Sequence, residues 1–282
     1  MDPEDTRVRN ALGAWDHGDL NDNGDIVINK DLILRWLHRL ARHYGNPNFP
    51  EQAAPGWRYY LDNPAFGCGD AVVYSGVIQE QRPPPNVEIG SGFSSCLAMD
   101  TNDRLFPGGG GMEITVIDPY PDILRGLLLP NDPYRGVIRD VPVQSAPIEW
   151  FEALDENDIL FIDSSHVAKT GSDVNDYLFR ILPRLRAGVC VHIHDIPYPF
   201  EYPPAWVVEE NRSWNEAYVL RSFLQYNQSF RIIYWNHYAY RKFAGVLEAN
   251  MPLCMRNCGG SIWLRKLKRI GRFGWALPFR MR

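Results

Sequence analysis

From about residue 85 onward, short apolar runs alternate with stretches in which apolar residues recur at helical spacing. The run Val87-Glu88-Ile89 ends at Gly90-Ser91-Gly92 and is followed by Phe93-Ser94-Ser95. This pattern predicts the end of a buried strand, a tight turn and the start of a helix. Further strands are expected over 114–118, 137–143, 158–163, 189–195, 230–235 and 261–264, with helices over 123–129, 174–185 and 216–226. Strands and helices alternating at this spacing imply a mostly parallel sheet covered on both faces.

Upstream, residues 31–43 place Ile33, Leu34, Leu37 and Leu40 on one helical face. Asn29 or Asp31 can cap its start, and Gly45 with Pro47 stops it. Residues 70–79 read as a second helix, closed off by Pro83-Pro84-Pro85. We therefore divide the chain into an N-terminal cap segment over 1–62, a main domain over 63–265 and a basic tail over 266–282.

In open parallel sheets, ligands bind beyond the carboxyl ends of the strands. That rule gathers Glu88 to Ser95, Asp118, Gln144 with Ser145, Asp163 to His166, and His194 with Asp195 at one edge. These are also the places where polar residues interrupt apolar runs.

Composition adds exclusions. With 45% hydrophobic and 22% charged residues the chain is globular, and no apolar run is long enough to span a bilayer. Five cysteines, with Cys68, Cys96 and Cys190 far apart, do not make a disulfide framework, so a cytoplasmic setting is expected. The net charge of −5 is uneven: residues 265–282 hold seven Lys and Arg and no acid, so the body is strongly acidic. An acidic body argues against nucleic acid as a partner. The basic tail, which includes Trp275 and Phe279, could touch an anionic membrane surface or a partner.

A lone G-x-G fits several nucleotide-type cofactors. Three features sort them. Glu88 stands two residues before the first glycine, where it would repel a pyrophosphate and attract an ammonium. Ser95 replaces the third glycine of G-x-G-x-x-G. Asp118 ends the next strand, suited to ribose hydroxyls, a feature shared with nicotinamide enzymes. The first two favour S-adenosylmethionine.

Taken in order, Val87 to Ser95, Ile117-Asp-Pro-Tyr-Pro121, Asn157 to His166 and Val191-His-Ile-His-Asp195 resemble the class I S-adenosylmethionine-dependent methyltransferases. The likeness is to a bacterial small-molecule branch with IDSSH and HxHDI motifs. It implies a Rossmann-like α/β fold with a seven-stranded sheet, helices on both faces and an antiparallel last strand. It also implies that Glu88, Gly90, Ser91, Gly92, Ser94 and Ser95 surround the methionine part of the cofactor. Asp118 would hold the ribose, Gln144 and Ser145 the adenine, and Asp163 would lie beside the sulfonium and the acceptor.

His166 follows a strand end by three residues, and an imidazole with an ordinary pKa near 6.5 suits a general base. We expect His166 and Asp163 to be catalytic. His194 shares a strand face with His192 and precedes Asp195, so Asp163, His194 and Asp195 could hold a divalent metal. Residues 197–204 are proline-rich and read as a loop over the pocket. Tyr198, Phe200, Glu201, Tyr202, Trp214, Asn215 and Glu216 are the expected substrate contacts. Residues 19–31 resemble half of a calcium loop, but Lys30 occupies the position of its closing carboxylate, so a polar turn is favoured. Cys254 and Cys258 have no partner pair at metal spacing.

The expected function is methyl transfer, most naturally to oxygen, on a small hydroxylated or carboxylated metabolite such as a sugar or natural-product intermediate. A homo-oligomer is compatible with this. The rivals are an NAD(P)-dependent oxidoreductase or epimerase and a non-catalytic cofactor-binding scaffold.

Overall fold

The computed structural model describes residues 26–82, 85–107 and 111–268. The calcium-like stretch falls mostly outside them, as do residues 269–282 of the basic tail. Seven strands form one sheet: β1 (Pro85–Ile89), β2 (Glu113–Ile117), β3 (Ile138–Arg139), β4 (Ile159–Ile162), β5 (Cys190–Ile193), β6 (Phe230–Trp235) and β7 (Ile262–Lys266). Their order is β3-β2-β1-β4-β5-β7-β6. β1 to β5 run parallel to one another, and β7 runs antiparallel to both β5 and β6. Every residue of β4 and β5 is buried, as both faces of a helix-covered parallel sheet require.

The longer helices are α1 (Lys30–Ala41), α2 (Cys68–Gln81), α3 (Phe93–Leu105), α4 (Asp122–Leu127), α5 (Glu216–Gln225) and α6 (Asn236–Asn250). The Asn29 side chain accepts from the Leu32 amide and caps α1, as its polarity and position suggest. Ile33, Trp36, Leu37 and Leu40 enter the same core as the strands, so α1 belongs to the layer over the sheet. Arg58 binds the α3 residues Asp100 and Asp103 and also Asp132, tying the segment before α2 to the sheet's other end. This buried guanidinium is matched by three carboxylates, which compensates its desolvation.

Several boundaries differ from expectation. Of 137–143, only Ile138–Arg139 pairs as a strand, because Pro142 ends the extension and Val143–Ser145 coil into a 3-10 turn. The helix expected over 174–185 is one α-turn followed by π and 3-10 turns, with Pro183 inside the last. The helix α6 follows β6 without a break and kinks at Phe243, so no turn residue in the sequence announces its start. Arg265 and Lys266 lie in β7, where Arg265 donates to Asn157 and Lys266 to the Leu182 carbonyl. The basic tail thus begins later than its composition suggests.

Candidate active site

The register aligns Ile117, Ile89, Ile162 and Ile193 in one row across β2-β1-β4-β5. The next residue of each strand, Asp118, Gly90, Asp163 and His194, therefore stands along the carboxyl edge. The chain leaves β1 on both sides here, toward β2 and β4, which opens a crevice at the topological switch point.

Gly90 makes that crevice possible. Its φ is +85°, and a β-carbon there would stand 1.7 Å from the Asp163 carbonyl oxygen. Only glycine allows this approach of two backbones. A cleft of about 510 Å³ opens beside it, lined by Gly90, Ser91, Asp118, Gln144 and Asp163 among others. The Asp118 carboxylate accepts from Ser91 Oγ (2.5 Å) and from the Tyr120 amide (2.8 Å), which fixes its direction. Gln144 is held by donation to the Gly171 carbonyl (2.8 Å). Tyr120, singled out by no sequence signal beyond its place after Asp118, stands exposed on the rim as an aromatic face.

A second cleft of about 590 Å³ lies on the other side of Asp163. Asp70, His194, Asp195, Arg212 and Trp214 line it. Asp163 is common to both clefts.

Five expected cofactor residues, Glu88, Gly92, Ser94, Ser95 and Ser145, do not line the first cleft. Glu88 is fully buried, and its Oε1 accepts from Ser94 Oγ at 2.5 Å. Burial, with Asp163 and Asp118 nearby, pushes its carboxyl up to about 8. Ser95 Oγ accepts from the Gly92 amide and is buried with it. These side chains brace the turn between β1 and α3 from behind. Glu88 thus presents no ionised carboxylate to the first cleft, contrary to the expectation from its place two residues before Gly90. Ser145 is exposed and also outside the lining.

His166 differs from the expected free base. It sits in a left-handed conformation (φ +58°), and its carbonyl accepts from the Asn215 and Glu216 amides at the start of α5. Its Nδ1 lies 2.8 Å from Glu216 Oε2, and its Nε2 lies 3.4 Å from Asp163 Oδ1. The ring packs on Trp214, centroids 4.2 Å apart. Burial opposes its charge, but Asp163 and Glu216 outweigh that and push its pKa up to about 10. At neutral pH it is an imidazolium with no lone pair to accept a proton.

His194 is similarly enclosed. Its Nδ1 faces Asp163 (3.3 Å) and Asp195 (3.7 Å), and its Nε2 faces Asp70 (3.2 Å). Burial opposes its charge as well, yet these acids raise it well above the ordinary histidine value. Burial pushes Asp163 up, while His194 and His166 more than offset it and hold the carboxyl well below the usual range. Both ring nitrogens face carboxylates in this arrangement, as a doubly protonated imidazole would. Among the described residues no group of three or more His, Cys, Asp or Glu is arranged to hold a metal ion. The expected Asp163, His194 and Asp195 do converge, but as an ion-pair cluster. His192 is a buried, neutral strand residue that hydrogen-bonds Ser261 Oγ at 2.7 Å and stacks on Phe161.

Asp70 was not foreseen. It enters from the first turn of α2, and Ser261, Gly260 and Asn236 also donate to it. A lone Asp in a helix's first turn reads as an ordinary dipole-matching acid, so the sequence held no sign of its partners.

Most expected substrate contacts prove structural. Tyr198, Phe200 and Tyr202 are buried, the first two against Trp235, and Tyr202 Oη accepts from the Ala217 amide. Glu201 pairs with Tyr218 Oη. Asn215 bonds both backbone groups of Ala168, and Glu216 accepts from Tyr177 Oη as well as facing His166. Trp214 alone of these seven lines the second cleft. The proline-rich loop supplies Pro197 and Pro203 to it instead.

A seven-stranded sheet of this order, with its crevice beside β1, is the Rossmann-like class I methyltransferase fold. Residues 87–196 match the family model described as a methyltransferase domain. An uncharacterized protein from Archaeoglobus fulgidus is 37% identical over 137 residues, which span 47% of this chain and 59% of that protein. The chain thus spans about three fifths of the curated relative it matches. Among solved structures, a putative O-methyltransferase from Klebsiella pneumoniae aligns with a TM-score of 0.40 and 14% identity, covering 94% of this chain and 96% of that one. A Podospora anserina methyltransferase bound to SAH aligns at 0.33 and 11%, covering 93% and 96%. No described helix is long and apolar enough to cross a membrane.

Proposed function

We propose that the chain methylates an oxygen of a small molecule, using S-adenosylmethionine. The observation that carries this is the pair of clefts meeting at Asp163. One offers what the cofactor needs: a glycine turn with room for a ligand at the backbone, a fixed carboxylate for two ribose hydroxyls at Asp118, and a polar edge for adenine at Gln144. When bound, the cofactor supplies a methyl group already activated on a sulfonium. The chain has only to align an acceptor and accept its proton.

In this reading Asp163 stands at the junction as an anion between two imidazolium groups, facing the cofactor's positive end. His166 holds and orients it, and Glu216 with Tyr177 holds His166. The second cleft takes the acceptor against Trp214 and Arg212.

A thermal-shift panel tests the reading. S-adenosylmethionine and S-adenosylhomocysteine should raise the melting temperature, while NAD and nucleotide sugars leave it unchanged. A shift with NAD alone would favour the oxidoreductase rival. No shift with any of them would favour a scaffold.

A further inference from the structure

Arg212 brings a guanidinium to the lining of the second cleft. Its guanidinium carbon lies 4.6 Å from the Trp206 ring centre and 4.4 Å from that of Trp214. Its Nε donates to Glu210 Oε2 at 2.6 Å, and Nη2 lies 2.6 Å from the same oxygen. The two rings, 5.6 Å apart and edge-on to each other, flank the guanidinium, and Glu210 takes one edge of the fork, Nε and Nη2; Nη1 takes no part in that pair. The nearest acid to Nη1 is Asp195 Oδ2 at 4.0 Å, beyond hydrogen-bond reach.

Asp195 is equally unusual. Two residues beyond β5 it sits in a left-handed conformation (φ +54°) that a non-glycine residue adopts at a cost. A β-carbon on Gly260 would stand 2.9 Å from its Oδ1, so its seat needs a glycine neighbour. Three cationic groups surround the carboxylate without touching it: His194 Nδ1 at 3.7 Å, His166 Nε2 at 3.9 Å and Arg212 Nη1 at 4.0 Å. Its side chain is mostly buried, 16% exposed, yet it makes no side-chain hydrogen bond among the described residues.

An oxygen about 2.8 Å from both Arg212 Nη1 and Asp195 Oδ2 closes a triangle over their 4.0 Å gap. We infer that this gap is the seat of the acceptor's reacting hydroxyl, which accepts from Arg212 and donates to Asp195. The inference rests on the methyl-transfer reading and names its acceptor class, an un-ionised alcohol. A carboxylate in the gap would set two acceptors against each other at Asp195. An ammonium would face Arg212 and His166. A hydroxyl alone satisfies both sides. In the reaction the hydroxyl oxygen forms its bond to the methyl carbon, and the cofactor sulfur keeps the electron pair of the broken S–C bond. The hydroxyl proton passes to Asp195, leaving alcohol ether, neutral thioether and carboxylic acid in balance.

The experiment compares three probes that differ in one group: a neutral methyl glycoside, the matching uronate and the matching amino sugar. Binding to the full chain is followed by saturation-transfer NMR, with and without S-adenosylhomocysteine, and transfer is followed with labelled cofactor. The glycoside should bind best. Asp195→Asn and Arg212→Leu should each weaken it tenfold or more, with Arg212→Lys recovering part of the loss and the affinity for S-adenosylhomocysteine changing less than threefold. Preference for a charged probe, variants that bind the glycoside as the parent does, or no binding by any hydroxyl probe would overturn the inference. Failure of S-adenosylhomocysteine to bind would instead count against the methyl-transfer reading, so the two failures are told apart.

Discussion

Gly90 and Asp163 touch backbone to backbone: a β-carbon added to Gly90 would stand 1.7 Å from the Asp163 carbonyl oxygen. The contact fixes how far β1 and β4 separate at their ends, and so how the two clefts meet. Gly90→Ala should cost about 2 kcal/mol or more, from the clash and from the left-handed φ together. That is a fall of roughly 4–8 °C in melting temperature for a domain of this size. Calorimetry of the variant checks this, and an unchanged melting temperature would contradict the approach.

The imidazolium at His166 gives a second prediction. Its folded pKa, about 10, lies above the ordinary 6.5, so its contribution to stability is full below pH 6.5 and is lost as pH rises toward 10. Glu216→Gln removes one of its two carboxylate partners and should lower its midpoint by at least about one pH unit. NMR titration of the His166 ring reads both. A midpoint near 6.5 in the parent chain would restore it as a free base.

Glu88 shifts stability with pH in the opposite sense to a carboxyl whose pKa is lowered on folding. The folded chain holds its proton to about pH 8, whereas an unfolded one releases it near 4.5. The folded form therefore binds more protons across that window, and stability declines as pH rises through it. Glu88→Gln keeps the shape without the titration, so denaturant melts at pH 9 should show it at least as stable as the parent. A variant weaker at pH 9 than at pH 5, relative to the parent, would mean Glu88 is ionised and paired.

Much of this architecture was legible in the chain because period and punctuation agree. Ile159–Ile162 and Cys190–Ile193 are apolar runs bounded by polar residues, and Asn29 announces α1. The strand ends placed Gly90, Asp118, Gln144, Asp163, His194 and Asp195 at one edge, and all six line the two clefts. What stayed hidden depends on which way a side chain turns after its strand ends. Glu88, Tyr198, Phe200 and Tyr202 point inward, and Glu216 is spent on His166. Asp70 reaches His194 across 124 positions of sequence, and Arg212 gains its place only when Trp206 and Trp214 fold around it. Such long-range pairings leave no local pattern.

The central claim is that the crevice beside β1 holds the adenosyl-methionine skeleton with Asp118 on its ribose. Isothermal titration of S-adenosylhomocysteine into the parent chain and into Asp118→Ala tests it most directly. We predict one site per chain, a loss of roughly 10- to 100-fold in affinity for the variant, as expected for hydrogen bonds to a charged group, and no heat from NAD. Binding of NAD in place of S-adenosylhomocysteine, or an affinity indifferent to Asp118, would contradict the account.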